Sequence, residues 1–221
     1  MDQFKDTLAS GMRLVLFLTI PSAVGLIALS TPIVSLVYQH HALTPIGTAR
    51  AATALVGYSF QIPFVGVDQM LIFAFYARRD TLTPMLVGVL GVTTYLISAW
   101  LLSPRFGILG LALANTLQNS LHALVLLVLL TAAVGGLSGR GLVPSIARSL
   151  LAAVVMGTGA ASLSALIRAH VTSTHLAGQA ATALVPLAFA LILYVGTTAL
   201  LRSPELAFAR DIALRKRPVD G

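Results

Sequence analysis

The sequence predicts an all-α integral membrane protein, a bundle of six transmembrane helices, and three observations carry that reading. Charged residues make up only 10% of the 221-residue chain, and its mean hydropathy is +0.92, values outside the range of ordinary soluble domains. Six apolar segments stand at 12–38, 51–77, 84–103, 107–134, 144–168 and 177–201, each near the ~20 residues that cross a hydrocarbon core as a helix. The loops between them are short and carry Pro, Gly, His and Arg. Segments this long and uniformly apolar do not suit barrel strands, which run to about ten residues and alternate. Lipid admits no other spanning backbone, because every buried N–H and C=O must find a partner.

Composition excludes several functions. There is no cysteine, hence no disulfide framework and no thiolate metal site. The net charge of +7 is spread over loops rather than gathered beside stacking aromatics, so it reads as a topology signal and a contact for anionic lipid, not for nucleic acid. Residues 1–11 are polar and the following apolar run is too long for a signal-peptide core. An even number of spans places both termini on one side. Lys5, Arg13, Arg78, Arg79, Arg140, Arg148, Arg202, Arg210, Arg215, Lys216 and Arg217 fall there, eleven of the fourteen basic residues, against Arg50, Arg105 and Arg168 opposite. The asymmetry predicts cytoplasmic termini.

The first span carries Pro21 and Pro32, the second Pro63 and the sixth Pro186. Each removes a helix hydrogen bond, which predicts either a hinge or a kink packed around an irregular neighbour. The second span holds Gln61 and Asp68, seven apart on one face, with Gln69 beside it. An ionisable residue within a span is a functional candidate: Asp68 would couple to a proton or cation or face a polar substrate, or else pair with a cation such as Arg13 for assembly alone. About 15 Å of helix separates it from Arg78.

The turn Phe75, Tyr76, Arg78, Arg79, Asp80, Thr81, Thr83, Pro84 closes the second span and opens the third. Its arginines place it at a membrane surface. Thr83 is expected to cap the next helix, with Pro84 in the first turn. The fourth span carries Asn115, Gln118, Asn119 and His122 within an arc of roughly 100°. Amides in lipid need partners, so this stripe is expected either to wall a cavity or to bond to other helices. His40, His41, His170 and His175 sit in outer loops without companion ligands, and no metal or cofactor is expected. Gly157, Gly159, Ala160, Ala161, Ser162, Ser164 and Ala165 give the fifth span small residues, suited to close helix packing or to a groove for an acyl chain. The tail 202–221 is basic and is expected at the cytoplasmic surface. No nucleophile–base pattern, phosphate-cradling loop or carboxylate pair is present, so no enzyme is predicted.

Three stretches carry a resemblance to a known family. GMRLVLFLTIPSAVGLIALSTPIVSLVY, residues 11–38, resembles the ninth span of the MurJ/MviN lipid II flippases. FYARRDTLTP, residues 75–84, is similar to that family's turn between spans ten and eleven, and PRFGILGLALA, residues 104–114, to the approach to span twelve. The resemblance is in register over about the first 130 residues; beyond them the last two spans match in order and character. It implies spans nine to fourteen of a transporter of the multidrug/oligosaccharidyl-lipid/polysaccharide exporter superfamily. Residues 1–134 would close the C-terminal lobe and 135–201 would add two further helices lining a groove for a lipid tail. The family moves lipid-linked peptidoglycan precursor across the bacterial cytoplasmic membrane through a central cavity. The N-terminal lobe with its cavity arginines has no counterpart here. Sodium-binding side chains of some members fall at Tyr95 and Ala99, which cannot ligate a cation as a carboxylate or amide would, and at Asn115, which alone makes no site.

The resemblance therefore implies the C-terminal part of a lipid II flippase, unable to transport alone, with Gln61, Asp68, Asn115, Gln118, Asn119 and His122 as candidates for the substrate cavity. Its partners would be the lipid-linked precursor, membrane lipids and a missing lobe or cell-wall synthesis proteins. The alternatives are a non-transporting membrane scaffold or a fragment awaiting a partner lobe, and a flippase for another lipid-linked oligosaccharide.

Overall fold

The computed structural model describes residues 2–38, 44–136, 139–170 and 176–208, and it is helical throughout. Eight helices follow in order: α1 (Asp2–Ala28), α2 (Ser30–Tyr38), α3 (Pro45–Ser59), α4 (Ile62–Ala77), α5 (Leu82–Phe106), α6 (Ile108–Val134), α7 (Leu142–His170) and α8 (Leu176–Leu200). Five of them are long and apolar enough to cross a membrane singly, and α3 with α4, bent by 40° at their break, brings the number to six when the pair is taken as one span. Five of the six expected spans are thus single helices, and the second is a bent pair.

Two breaks follow from proline chemistry. Pro32 has no N–H to offer the carbonyl of Ala28, and the helix loosens at Leu29 between α1 and α2, although Leu29 N still bonds Gly25 O at 2.9 Å. Pro63 likewise offers nothing to Ser59, and the second span parts at Phe60–Gln61, three residues before that proline. Pro21 and Pro186, by contrast, lie inside unbroken helices. α3 starts six residues ahead of the expected span, on Thr44, whose hydroxyl accepts from Gly47 N at 3.2 Å, with Pro45 in the first turn.

α1 starts ten residues earlier than its apolar run. Residues 2–11 are helical, and Leu8 and Met12 enter a core with Leu71, Phe75, Val87, Leu126, Leu130 and Val134, with Phe4 packed against it. Phe4, Leu8 and Met12 are four apart and share a face. A second core joins Phe17 and Leu29 to Ala152, Met156, Ala160, Ala190 and Tyr194. There the rings of Phe17 and Tyr194 lie 5.3 Å apart, and the Tyr194 hydroxyl donates to Phe17 O at 2.6 Å.

α5 and α6 form a hairpin on Gly107, whose φ of 57° suits a residue without a Cβ. At Gly110 a Cβ would run into the backbone of Leu102, so only glycine lets the two helices meet here. α5 buries only Pro84, Val87, Gly91 and Ser98, and most of its other residues are exposed. At the opposite end of the bundle Arg140 bonds Asp6 at 2.7 Å and Asp2 at 3.4 Å. Arg13 donates to Arg140 O at 3.0 Å, and its Nε stands 3.8 Å from buried Glu205. Lys5, Arg13 and Arg140, all expected on the basic side, thus gather at one end, while 209–221 of the basic tail lie outside the described residues.

Candidate functional site: a polar belt between α4 and α6

A seven-residue spacing puts Gln61 and Asp68 on one face of the second span, and a 3.6-residue repeat puts Asn115, Gln118, Asn119 and His122 on one face of α6. The fold turns these two faces toward each other. Asn119 Nδ2 donates to Gln61 Oε1 at 2.6 Å, to Asn115 O at 2.9 Å and to Asn115 Oδ1 at 3.2 Å. One turn along, His122 Nδ1 lies 2.6 Å from Asp68 Oδ1, with only 14% and 12% of these two side chains exposed. Thr116 extends the seam by donating to Gly57 O of α3 at 2.8 Å. Arg13 is not the partner of Asp68: it is engaged at the basic end with Ser10, Arg140 and Glu205. A long-range imidazole, 54 residues away, takes that place. Gln69 is exposed and outside the belt.

The belt opens sideways. Gly88 and Gly91 on α5 face it, and a Cβ at Gly91 would stand 3.5 Å from Gln118 and one at Gly88 3.9 Å from His122 Nε2. Beside Gly88 lies a cavity of about 550 Å³ lined by Asp68, Gln118, Asn119 and His122 on one side and by Met85, Val89, Val92 and Thr93 on the other. Sequence reasoning did not single out Gly88, Gly91 or Thr93. The three-residue spacing of the two glycines, which puts both on one helix face, was the available signal. Tyr95 and Ala99 lie on α5 but do not line this cavity. Among the described residues no three His, Cys, Asp or Glu side chains gather as a metal site; His40, His41 and His175 lie outside the described residues.

A larger apolar cavity of about 1,050 Å³ lies between α1, α4, α6 and the start of α7, lined by Leu16, Ile20, Phe64, Leu127, Val143 and Ile146 among others. Farther along α7, Gly157, Ala160 and Ser164 are buried while Ser162 and Ala165 are exposed; a Cβ on Gly157 would overlap Val24 of α1, and one on Gly159 would overlap Leu193 of α8.

The turn at 75–84 ends α4 with paired bonds, Asp80 N to Phe75 O at 3.0 Å and Arg79 N to Tyr76 O at 2.9 Å, the Schellman pattern. Arg79 fills the left-handed position at φ 61°, where glycine is usual. Thr83 does not cap α5. The helix has already begun at Leu82, and Thr83 donates instead, its N–H to Asp80 at 3.0 Å and its hydroxyl at 2.6 Å. Asp80 is the residue that satisfies the orphan N–H. Those bonds, the hydroxyl's first, hold its carboxyl below the usual carboxylate range. The same ending recurs after α8, where Arg202 sits at φ 49° and Ser203 N bonds Thr198 O at 3.0 Å.

Comparison with known proteins agrees with this architecture. The sequence model of a family described as lipid II flippase MurJ matches residues 1–181. A lipid II flippase MurJ of Thermosipho africanus is 32% identical over 124 residues, which cover 56% of this chain and 26% of that protein. A probable lipid II flippase MurJ of Vibrio cholerae is 28% identical over 125 residues, covering 57% and 24%. The chain thus spans about a quarter of the length of these relatives. A solved structure described as lipid II flippase MurJ in an inward closed conformation superposes with a TM-score of 0.73 at 23% identity, covering 96% of this chain and 40% of that one.

Proposed function

Given that this chain belongs to the MurJ lipid II flippase family, we propose that it is the C-terminal part of a transporter that carries lipid-linked peptidoglycan precursor across the bacterial cytoplasmic membrane. It is a multi-pass membrane protein with the fold of that family, and the family is named for moving a lipid rather than for covalent chemistry.

The observation that carries the proposal is the belt of Gln61, Asp68, Asn115, Gln118, Asn119 and His122 beside a laterally open cavity. A sugar–pyrophosphate head cannot cross hydrocarbon without a polar path, since moving unpaired charge there costs several kcal/mol or more. The belt supplies one wall of such a path, while the apolar cavity along α1 and α7 suits the start of a lipid tail. The opposite wall must come from other helices. Acyl chains cannot satisfy the amide of Gln118 or the open nitrogen of His122, both of which line the cavity. In this reading a lobe on the same polypeptide or a separate partner closes the cavity, and the basic end with Arg78, Arg79 and Arg140 faces the cytoplasm.

The test is flipping of fluorescent lipid II in liposomes. The expected result is no flipping by the 221-residue chain alone and flipping when an N-terminal lobe is supplied, lost on Asp68→Leu or Asn119→Leu. Flipping by the chain alone, or full flipping by both variants, overturns the proposal. Orientation is checked with single cysteines, which this cysteine-free chain allows: a membrane-impermeant maleimide on whole cells is expected to label Arg105→Cys and spare Arg79→Cys.

A further inference from the structure

We propose that Asp68 and His122 form a proton-binding site within the bilayer, reached from the α5–α6 cavity through Nε2 of His122, and that its occupancy sets how tightly α4 is held to α6. The inference rests on the geometry of the pair and is independent of the lipid that is carried.

His122 Nδ1 is 2.6 Å from Asp68 Oδ1; in the tautomer whose Nδ1–H donates to an ionised Asp68, the second nitrogen, Nε2, is left as the place where a proton enters or leaves. That nitrogen faces Gly88, where the absent side chain opens it to the cavity. With Nε2 bare the pair is a carboxylate and a neutral imidazole, carrying one net negative charge. With Nε2 protonated it is an ion pair with no net charge, and its hydrogen bond gains charge assistance at both ends. The bond between α4 and α6 is thus stronger with the proton bound, and proton release passes from Nε2 to water in the cavity.

Among the described residues no other group is placed to balance the carboxylate. α1 offers Lys5 and Arg13, but both belong to the basic end: Lys5 lies beside Gly135, and Arg13 is turned to Arg140 and Glu205. The acids of α1, Asp2 and Asp6, are bonded to Arg140. Arg50 of α3 and Arg105 of α5 are exposed near the opposite ends of their spans. The cavity side of α5 presents Met85, Gly88, Val89, Val92 and Thr93 without a charge. α4 has only Asp68 before Arg78, and α6 only His122.

Nitrogen-15 NMR of the histidine-labelled 221-residue chain in lipid nanodiscs, titrated over about pH 5 to 9 around the ordinary imidazole range, tests this. His122 is assigned by its loss in His122→Gln. The expected result is that Nε2 titrates while Nδ1 stays protonated. Asp68→Asn should move the midpoint by about one pH unit or more, tenfold in proton affinity. Asp80→Asn should leave it in place, and Asp68→Glu should keep the titration should the asparagine variant fail to fold. Spin labels on Phe73→Cys and Leu124→Cys, exposed positions of α4 and α6, should report a change in spacing at the same midpoint. An Nε2 that does not titrate, an unmoved midpoint in a folded Asp68→Asn chain, or an invariant spacing overturns the proposal. No lipid II is in the sample, so this failure is separable from failure of the flippase reading.

Discussion

The two halves of the bundle are held by different chemistry. α1, α7 and α8 meet through small residues: α7 buries Ser145, Ser149, Ala152, Ala153, Met156, Gly157, Ala160 and Ser164, and the contact with α8 is completed by small side chains and by Tyr194 bonding the backbone of α1. α4 and α6 meet through amides, a carboxylate and an imidazole beside a cavity as well as through the apolar core of Leu71, Phe75, Leu126 and Leu130, while α5 packs on α6 at Gly110 and stays largely uncovered. In lipid there is no hydrophobic drive to bring helices together, so association depends on close packing and on interhelical hydrogen bonds. One half relies mainly on the first, and the other adds the second. Close packing has one geometry and fixes a frame, whereas a bonded polar seam beside a cavity can exchange its partners.

That contrast is open to direct challenge. The largest effect is expected in the packed half: Gly157→Leu would drive a side chain into Val24 and should lower stability by about 3 kcal/mol, read as unfolding in mixed micelles, with no change in lipid specificity. A tolerated leucine there would show that the frame is loose. Next, Asn119→Leu removes the bonds to Gln61 and Asn115 and should cost about 1–2 kcal/mol by the same assay, with transport by the assembled protein falling further than stability does. A smaller loss, about 1 kcal/mol or less, is expected for Tyr194→Phe, which keeps the ring contact and deletes one bond to Phe17 O.

The smallest effect lies at the turn. Asp80 has its carboxyl held below the usual range by Thr83, so its contribution is present above the ordinary carboxylate value of about 4 and is lost as pH falls through the lower folded value. Asp80→Asn should flatten that acid limb of the stability profile and leave neutral pH nearly unchanged.

The spans were legible because apolar runs of membrane length have few alternative uses. What failed had physical causes. Residues 2–11 looked polar by composition, yet Phe4, Leu8 and Met12 give that helix a buried face. Thr83 looked like a cap because it precedes Pro84, but Asp80, three residues earlier, accepts the N–H of Thr83 itself in a charge-assisted bond, so the helix starts before Thr83. The polar faces of the second and fourth spans were each readable from spacing. That they meet, and that Asp68 meets His122 rather than Arg13, depended on which helices become neighbours, and that is a property of the assembled bundle. The cavity was least visible, since it opens beside Gly88, where a side chain is lacking.

The parting of the second span at Phe60–Gln61 has a mechanical meaning. An unbroken helix is a stiff rod, and any tilt imposed at one surface reappears at the other. Here Pro63 removes a cross-link at mid-depth and the two segments already diverge by 40°. α3 leans on α1, α2 and α6, and α4, with Asp68, on α1 and α6. The span is therefore two levers sharing a fulcrum next to Gln61, and movement of α3 reaches α4 through that joint and through α6, where Asn119 holds Gln61.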